Sequence, residues 1–191
     1  MSYVYGEQIK YSIDLLGNDD YLEIQNFSCG NDPLDFYIHN DLIKSGIIDV
    51  DDGLPFKVTD NNSGKIIALY SLAASGLTLQ VDSYTHVLPA IKINIFAVDT
   101  AFQKMHMNEF SKSSDNPDDH YYFCDCVMCD VVNYCRELSE RNLAVNYIIL
   151  YADKKAKRFY ERNLFNDFSE YMQKERNMEI KANDPMFLSL N

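Results

Sequence analysis

The sequence predicts an α/β domain in which a central mixed sheet is flanked by helices. Three observations carry that expectation. The run from Ala90 to Val98 alternates apolar and polar groups through Ile95, turns wholly apolar and stops at Asp99, as a strand does on entering a buried sheet. A second apolar run spans Ala144 to Tyr151. Between the two, a segment reaching about Arg141 places Cys124, Val127, Met128, Val131, Cys135 and Leu138 at helical spacing.

A chain of 191 residues, 47% of them apolar, is long enough for one well-buried domain, and residues 1–191 read as a single one. Fourteen Tyr and eleven Phe against no Trp predict a core rich in rings. No stretch approaches the roughly 20 apolar residues of a membrane span, and the N-terminus lacks the layout of a secretory signal. The expectation is a cytoplasmic protein with no membrane partner. Five cysteines, four of them crowded into 124–135, do not make a disulfide framework and agree with a reducing compartment. A net charge of −12 disfavours nucleic acid, because affinity for phosphates needs a basic face. Basic residues gather only at Lys154, Lys155, Lys157, Arg158 and Arg162.

Taken in order, Tyr3-Val4-Tyr5 and Tyr21 to Ile24 flank the turn residues 17–20, and at least one run is an edge strand. Asp32 is placed to cap a helix with Pro33 in its first turn, Leu34, Tyr37, Ile38 and Leu42 on one face, and Gly46 as its end. The acidic stretch 47–54 reads as a loop. Phe56 to Thr59, a turn at 60–64, and Lys65 to Leu72 form strand–turn–strand, the second running on through Leu79 with a bulge or bend at Gly76. Pro89 precedes the central strand. Residues 107–119 look like an insertion, and Asn116, Pro117, Asp118 and Asp119 form a strong helix start. Asp153 caps a short helix carrying Ala156, Phe159 and Tyr160. Phe165 to Tyr171 and Met186 to Leu190 supply the last strands.

Several clusters invite a chemical reading and are given a plainer one. On a helix, Cys126 and Cys129 fall on the flank while Cys124 and Cys135 face the core, so four thiols do not converge on one ion; packing is the reading, and no metal is assigned. The histidines 39, 86, 106 and 120 show no paired spacing and no nucleophile partner. Asp49, Asp51 and Asp52 lack the spacing of a calcium loop.

One pattern is more specific. Asp153, Ala156, Phe159-Tyr160-Glu161 and Phe165 reproduce the closing motif of the GNAT acetyltransferases at every position but one, where Leu164 replaces glycine. Phe96-Ala97-Val98-Asp99 resembles the family's Leu-Ala-Val-Asp strand end. Phe27-Ser28-Cys29-Gly30 with Leu34-Asp35, and Tyr70-Ser71-Leu72-Ala73, resemble a bacterial subgroup that includes toxins acetylating aminoacyl-tRNA. The resemblance extends from about residue 20 to the C-terminus. It implies a GNAT-like mixed sheet splayed at the strand that ends at Val98, and acetyl-CoA as the cofactor. It implies transfer of acetyl to a primary amine of unknown identity, with Phe96, Ala97 and Val98 binding the pantetheine and Tyr160 protonating the departing thiolate. Asp153 and Phe159 complete the motif on the cofactor side. A homodimer would be in keeping with the family.

The family's pyrophosphate loop, Gln/Arg-x-x-Gly-x-Gly/Ala, holds the diphosphate by backbone N–H groups and a helix dipole. Here Gln103 matches and Lys104 follows it, but His106 and Asn108 stand at the glycine positions. Asp118 and Asp119 would place negative charge at the following helix start. Two functions follow: an acetyl-CoA-dependent N-acetyltransferase, or a GNAT-fold binding or regulatory module that has lost coenzyme A.

Overall fold

The computed structural model describes residues 2–5, 9–51, 53–81, 84–116, 119–171 and 182–190. It divides into two compact units, Met1–Ser71 with Ile95–Val127, and Leu72–Asn94 with Met128–Asn191. No helix among the described residues is long and apolar enough to cross a membrane.

The first unit opens with the edge strand β1 (Ser2–Tyr5), antiparallel to β2 (Ile9–Leu15). Tyr21 to Ile24 is not a second strand but the short helix α1 (Tyr21–Ile24), which buries Ile24. Helix α2 (Asp32–Asn40) is capped one residue earlier than the sequence suggests: the Asn31 side chain, not that of Asp32, accepts the Leu34 N–H at 3.2 Å. The helix also ends before Gly46. Strands β3 (Ile43–Lys44) and β4 (Ile47–Ile48) pair as a small hairpin, and Ser45 and Gly46 both have positive φ, 54° and 76°. Two left-handed residues between antiparallel strands make a type I′ turn, so the glycine reverses a hairpin instead of closing a helix.

Strands β5 (Leu54–Asp60), β6 (Ile66–Val81) and β7 (Tyr84–Val98) follow. Within this unit the sheet order is β1-β2-β5-β6-β7. Leu16, Ile24, Phe27, Ile38, Leu69 and Ala97 belong to one buried cluster beneath α1, α2 and the hairpin. Helix α3 (Glu109–Ser113) lies in the insertion, and α4 (Phe123–Arg141) begins in this unit and continues in the next.

The start of α4 differs from the sequence expectation. Helix α4 does not start at Asn116, whose carbonyl accepts the Asp119 N–H, and Asp119 is bonded to the Ser114 hydroxyl at 2.7 Å. Pro117 and Asp118 lie outside the described residues, as does Asp52. Tyr122 is the residue before the helix. Its N–H donates to Asp125 Oδ2 at 2.8 Å and its carbonyl accepts the Cys126 N–H, so a carboxylate three residues on reaches back to close the first turn.

In the second unit the order is β6-β7-β8-β10-β9, with β8 (Tyr147–Ala152), β9 (Asn166–Asp167) and β10 (Asp184–Ser189). Helix α5 (Lys157–Arg162) follows β8. The β7–β8 pair is parallel, from Ala90↔Tyr147 to Ile93↔Leu150; a parallel neighbour needs a crossover, and α4 is the helix between the two in sequence. Strand β7 runs on past the end of this ladder to Val98, where the family resemblance implies a splayed sheet.

Pro89 lies inside β7, not before it, and its carbonyl accepts the Asn146 N–H at 3.3 Å. Gly76 marks no break in β6: a Cβ there would stand 2.9 Å from Val87 Cγ1, so close approach is what requires glycine. Cys126 is fully buried while Cys129 is exposed, which corrects the expected flank position of Cys126. Of the predicted strand from Phe165 to Tyr171 only β9 is extended; Ser169–Tyr171 is a 3-10 turn.

Candidate active site

The first unit carries the end of β7 and the loop after it. Ala97 and Val98 are buried and Phe96 half-buried. Asp99 then turns the chain: its N–H goes to the Ile67 carbonyl, its Oδ1 takes the Ala101 N–H at 2.9 Å and its carbonyl takes those of Phe102 and Gln103. The 27–30 motif is joined to this turn. Thr100 N–H donates to the Ser28 carbonyl at 2.9 Å, and Gly30, at φ 75°, packs so that a Cβ would lie 3.1 Å from the Thr100 methyl. Two sequence motifs some 70 residues apart are therefore one piece of structure.

Asp35 holds that piece. It accepts hydrogen bonds from the Ser28 hydroxyl and from the N–H groups of Cys29 and Gly30. Burial pushes its carboxyl up, but these donors outweigh burial and hold it below the usual carboxylate range. Burial and the same carboxylate push the Cys29 thiol up to about 12, so Cys29 is a poor nucleophile near neutrality.

Gln103 matches the family's loop, yet its side chain points into the protein. Nε2 donates to the Cys29 carbonyl at 2.7 Å and the Val98 carbonyl at 2.9 Å, tying motif, strand end and loop together. It is a positioning residue in this geometry.

The glycine positions have another use. His106 Nδ1 lies 2.9 Å from Ser111 Oγ, and its ring packs on Tyr122 and His120 at 4.7 and 5.1 Å between centroids. The Asn108 side chain accepts the Ser111 N–H at 2.7 Å and caps α3. Ser111 is fully buried and accepts the Tyr121 N–H. The two side chains that displace glycine thus build the core of the insertion. Neither needs glycine's freedom, since the only non-glycine residues with positive φ among those described are Ser45 and Leu164.

What the loop offers is backbone. The N–H groups of Lys104, His106 and Asn108 donate to no acceptor among the described residues, whereas those of Met105, Met107 and Phe123 are occupied by the carbonyls of Phe102, Tyr121 and Met105. Lys104 is exposed. The carboxylate in the first turn of α4 is Asp125, which is buried and bonded to the Tyr122 N–H. Alternating unclaimed peptide donors beside a lysine suit a diphosphate.

The second unit carries the end of β8 and α5. Asp153 does not cap α5; the residue before the helix is Ala156, with no side-chain cap, and Asp153 Oδ1 instead takes the Lys155 N–H at 2.8 Å in the preceding turn. Tyr160 is buried between Phe159 and Phe165, edge-on to both at 5.0 and 5.8 Å. Burial, then the nearby Asp153 charge, pushes its phenol above the ordinary tyrosine value, so it keeps its proton through the physiological range. Leu164, at the family's last glycine, adopts φ 68°. Its N–H bonds the Glu161 carbonyl and that of Phe165 bonds Tyr160, the double closure that glycine usually serves at a helix end.

Sequence reading missed Ser71, buried on β6, whose hydroxyl accepts the Ile95 N–H at 3.2 Å; only the Tyr-Ser-Leu-Ala resemblance marked it.

No family model matches the chain and no curated protein matches it in sequence. Solved structures do match in fold over nearly the whole length. A bacterial toxin aligns with a TM-score of 0.67 at 19% identity, covering 95% of this chain and 92% of its own. The AtaT toxin, as a tyrosine-to-phenylalanine mutant bound to the C-terminus of the antitoxin AtaR and acetyl-CoA, aligns at 0.63 and 14% identity over 94% and 93%. AtaT complexed with acetyl-methionyl-tRNAfMet aligns at 0.63 and 16% over 94% of each chain. The chain has the GNAT fold of these toxins. At such identities the GNAT likeness fixes the arrangement of the backbone and leaves the chemistry to the residues described above.

Proposed function

We propose that the protein is an acetyl-CoA-dependent N-acetyltransferase acting on a primary amine. The observation that carries this is the set of three unclaimed peptide N–H groups, at Lys104, His106 and Asn108, in a loop whose other N–H groups from Thr100 to Met107 are hydrogen-bonded. Bound acetyl-CoA supplies an activated acyl carbonyl and a thiolate leaving group. In this reading the three N–H groups and Lys104 Nζ hold its diphosphate, and the main chain of Phe96 to Val98 receives the pantetheine and polarises the acyl carbonyl. Gln103 keeps loop and strand end in register. In the second unit Tyr160 supplies the proton that the leaving sulfur takes up, with Asp153 and Phe159, its neighbours in the motif, on the cofactor side. Support for Tyr160 comes from the motif and from a phenol that stays protonated.

Asp119 bonds Ser114 and α4 begins at Phe123, so Asp119 does not stand in the first turn of that helix. The α-amino group of an aminoacyl-tRNA, the substrate class of the AtaT complex, is one primary amine to test against free amines; the net charge of −12 weighs against it. The test is calorimetric titration with acetyl-CoA and turnover of both amine classes, repeated with Tyr160→Phe. Binding should survive that substitution within about twofold, while kcat falls by about 10²-fold or more. An absence of heat at millimolar acetyl-CoA would leave the binding-module reading in its place, and unchanged turnover would remove Tyr160 from the reaction.

A further inference from the structure

Nine of the twelve net negative charges lie in the first 55 residues, which hold eleven acidic residues, two lysines and no arginine. Beyond the sheet strands β1 and β2, the described part of this segment forms the layer of α1, α2 and the β3–β4 hairpin over the first unit's core. Each element of the layer faces two ways. In α1 Ile24 is buried, and two residues away Leu22 is 73% exposed; in α2 Ile38 is buried and Phe36 is 63% exposed. Two positions on a helix are about 200° apart, so both exposed groups lie on the outer side. In the hairpin Ile48 packs on the core while Ile47 is 71% exposed. Helices α1 and α2 are joined by the Gln25 side chain, which donates to the His39 carbonyl at 2.8 Å. Large apolar groups therefore cover the outside of a layer whose inside is already full.

The same layer is acidic in excess: Lys44 pairs with Asp41 and Lys57 with Asp20, and carboxylates are left over. Asp19, Glu23, Asp32 and Asp51 are exposed and make no ion pair among the described residues. Exposed apolar groups gathered on one face mark contact surfaces, and a predominantly acidic rim selects a partner of opposite charge. Anionic membranes and nucleic acids are repelled by this face, and so is a second copy of the same face.

We propose that the outer face of the α1–α2–hairpin layer docks a cationic amphipathic segment of a partner protein, its apolar side on Leu22, Phe36 and Ile47 and its lysines or arginines on the surrounding carboxylates. This is independent of the acetyltransferase reading. The probe is a fluorescein-labelled peptide of leucine and lysine at helical spacing, followed by anisotropy at moderate salt. A scrambled peptide of equal charge serves as control. Binding should be at least tenfold tighter for the amphipathic peptide. It should weaken at least tenfold in Leu22→Ser/Phe36→Ser, which keeps the charge, and in Asp19→Asn/Glu23→Gln/Asp32→Asn, which keeps the apolar surface. Both variants change exposed side chains, and unchanged melting curves confirm that they fold. Equal binding of the scrambled peptide, or insensitivity to Leu22→Ser/Phe36→Ser, would reduce the face to a diffuse negative field and overturn the proposal. A dimer that dissociates in Leu22→Ser/Phe36→Ser would overturn it too, by making a second copy the occupant.

Discussion

Leu164 holds a left-handed conformation with 74% of its surface exposed, a position where a side chain gains little from packing and costs about 1 kcal/mol in backbone strain. Leu164→Gly should therefore stabilise the protein by up to about 1 kcal/mol in chemical denaturation, less whatever glycine costs through the unfolded chain. A destabilised variant would mean that the leucine has a packing role. Gln103→Ala should act the other way and by more. It strips the Cys29 and Val98 carbonyls of a donor, at about 1–3 kcal/mol, and should weaken acetyl-CoA binding as the loop loosens. The motif made Gln103 visible in the sequence, but a motif cannot say which way an amide points. Tyr160 and Leu164 were visible for the same reason, and their burial and backbone angle were not, because both depend on how Phe165 returns against α5.

At the scale of elements, long periodic segments were legible: β6, β7, β8 and most of α4 stand near their expected positions. Short ones were not. The strongest helix-start sequence in the chain, around Asn116, lost to Tyr122 because Asp125 and the Met105 carbonyl close the first turn of α4 six residues later. The insertion depends on Asn108 as the cap of α3. Asn108→Ala should cost about 1 kcal/mol and show first as faster amide exchange across 109–122.

Strand β9 is held to α5 by charge. Lys157 Nζ lies 2.5 Å from Asp167 and 3.8 Å from Asp184. The Lys157 hydrogen bond lowers the Asp167 carboxyl to about 2. A depressed carboxyl stabilises the fold above its unfolded value of about 4, and that stability is lost as pH falls toward 2. The pair is a third exposed, so the effect is about 1 kcal/mol or less. Asp167→Asn should lower the melting temperature at pH 7 and match the wild type near pH 2. A deficit that persists in acid would assign the loss to packing.

The whole molecule has its most direct expression in accessibility and charge. Only Cys129 of the five thiols is exposed, and burial pushes Cys135 up to about 12 as it and Asp35 do Cys29. Ellman's reagent at pH 8 should therefore modify one thiol fast, and Cys129→Ser should abolish that phase. Composition revealed the total charge but not that its surplus lies on one layer, since that follows from where α1 and α2 fold. The acyl-transfer reading depends in turn on three peptide groups that no side-chain pattern could mark, because each is defined by the hydrogen bond it does not make. Amide resonances of Lys104, His106 and Asn108, followed while acetyl-CoA is added, test it directly, with S-acetylpantetheine as the ligand lacking the diphosphate. All three should shift to saturation and exchange more slowly with acetyl-CoA and stay in place with S-acetylpantetheine. Acetyl-CoA that binds while these amides remain unmoved, or that does not bind, would contradict the assignment of the loop.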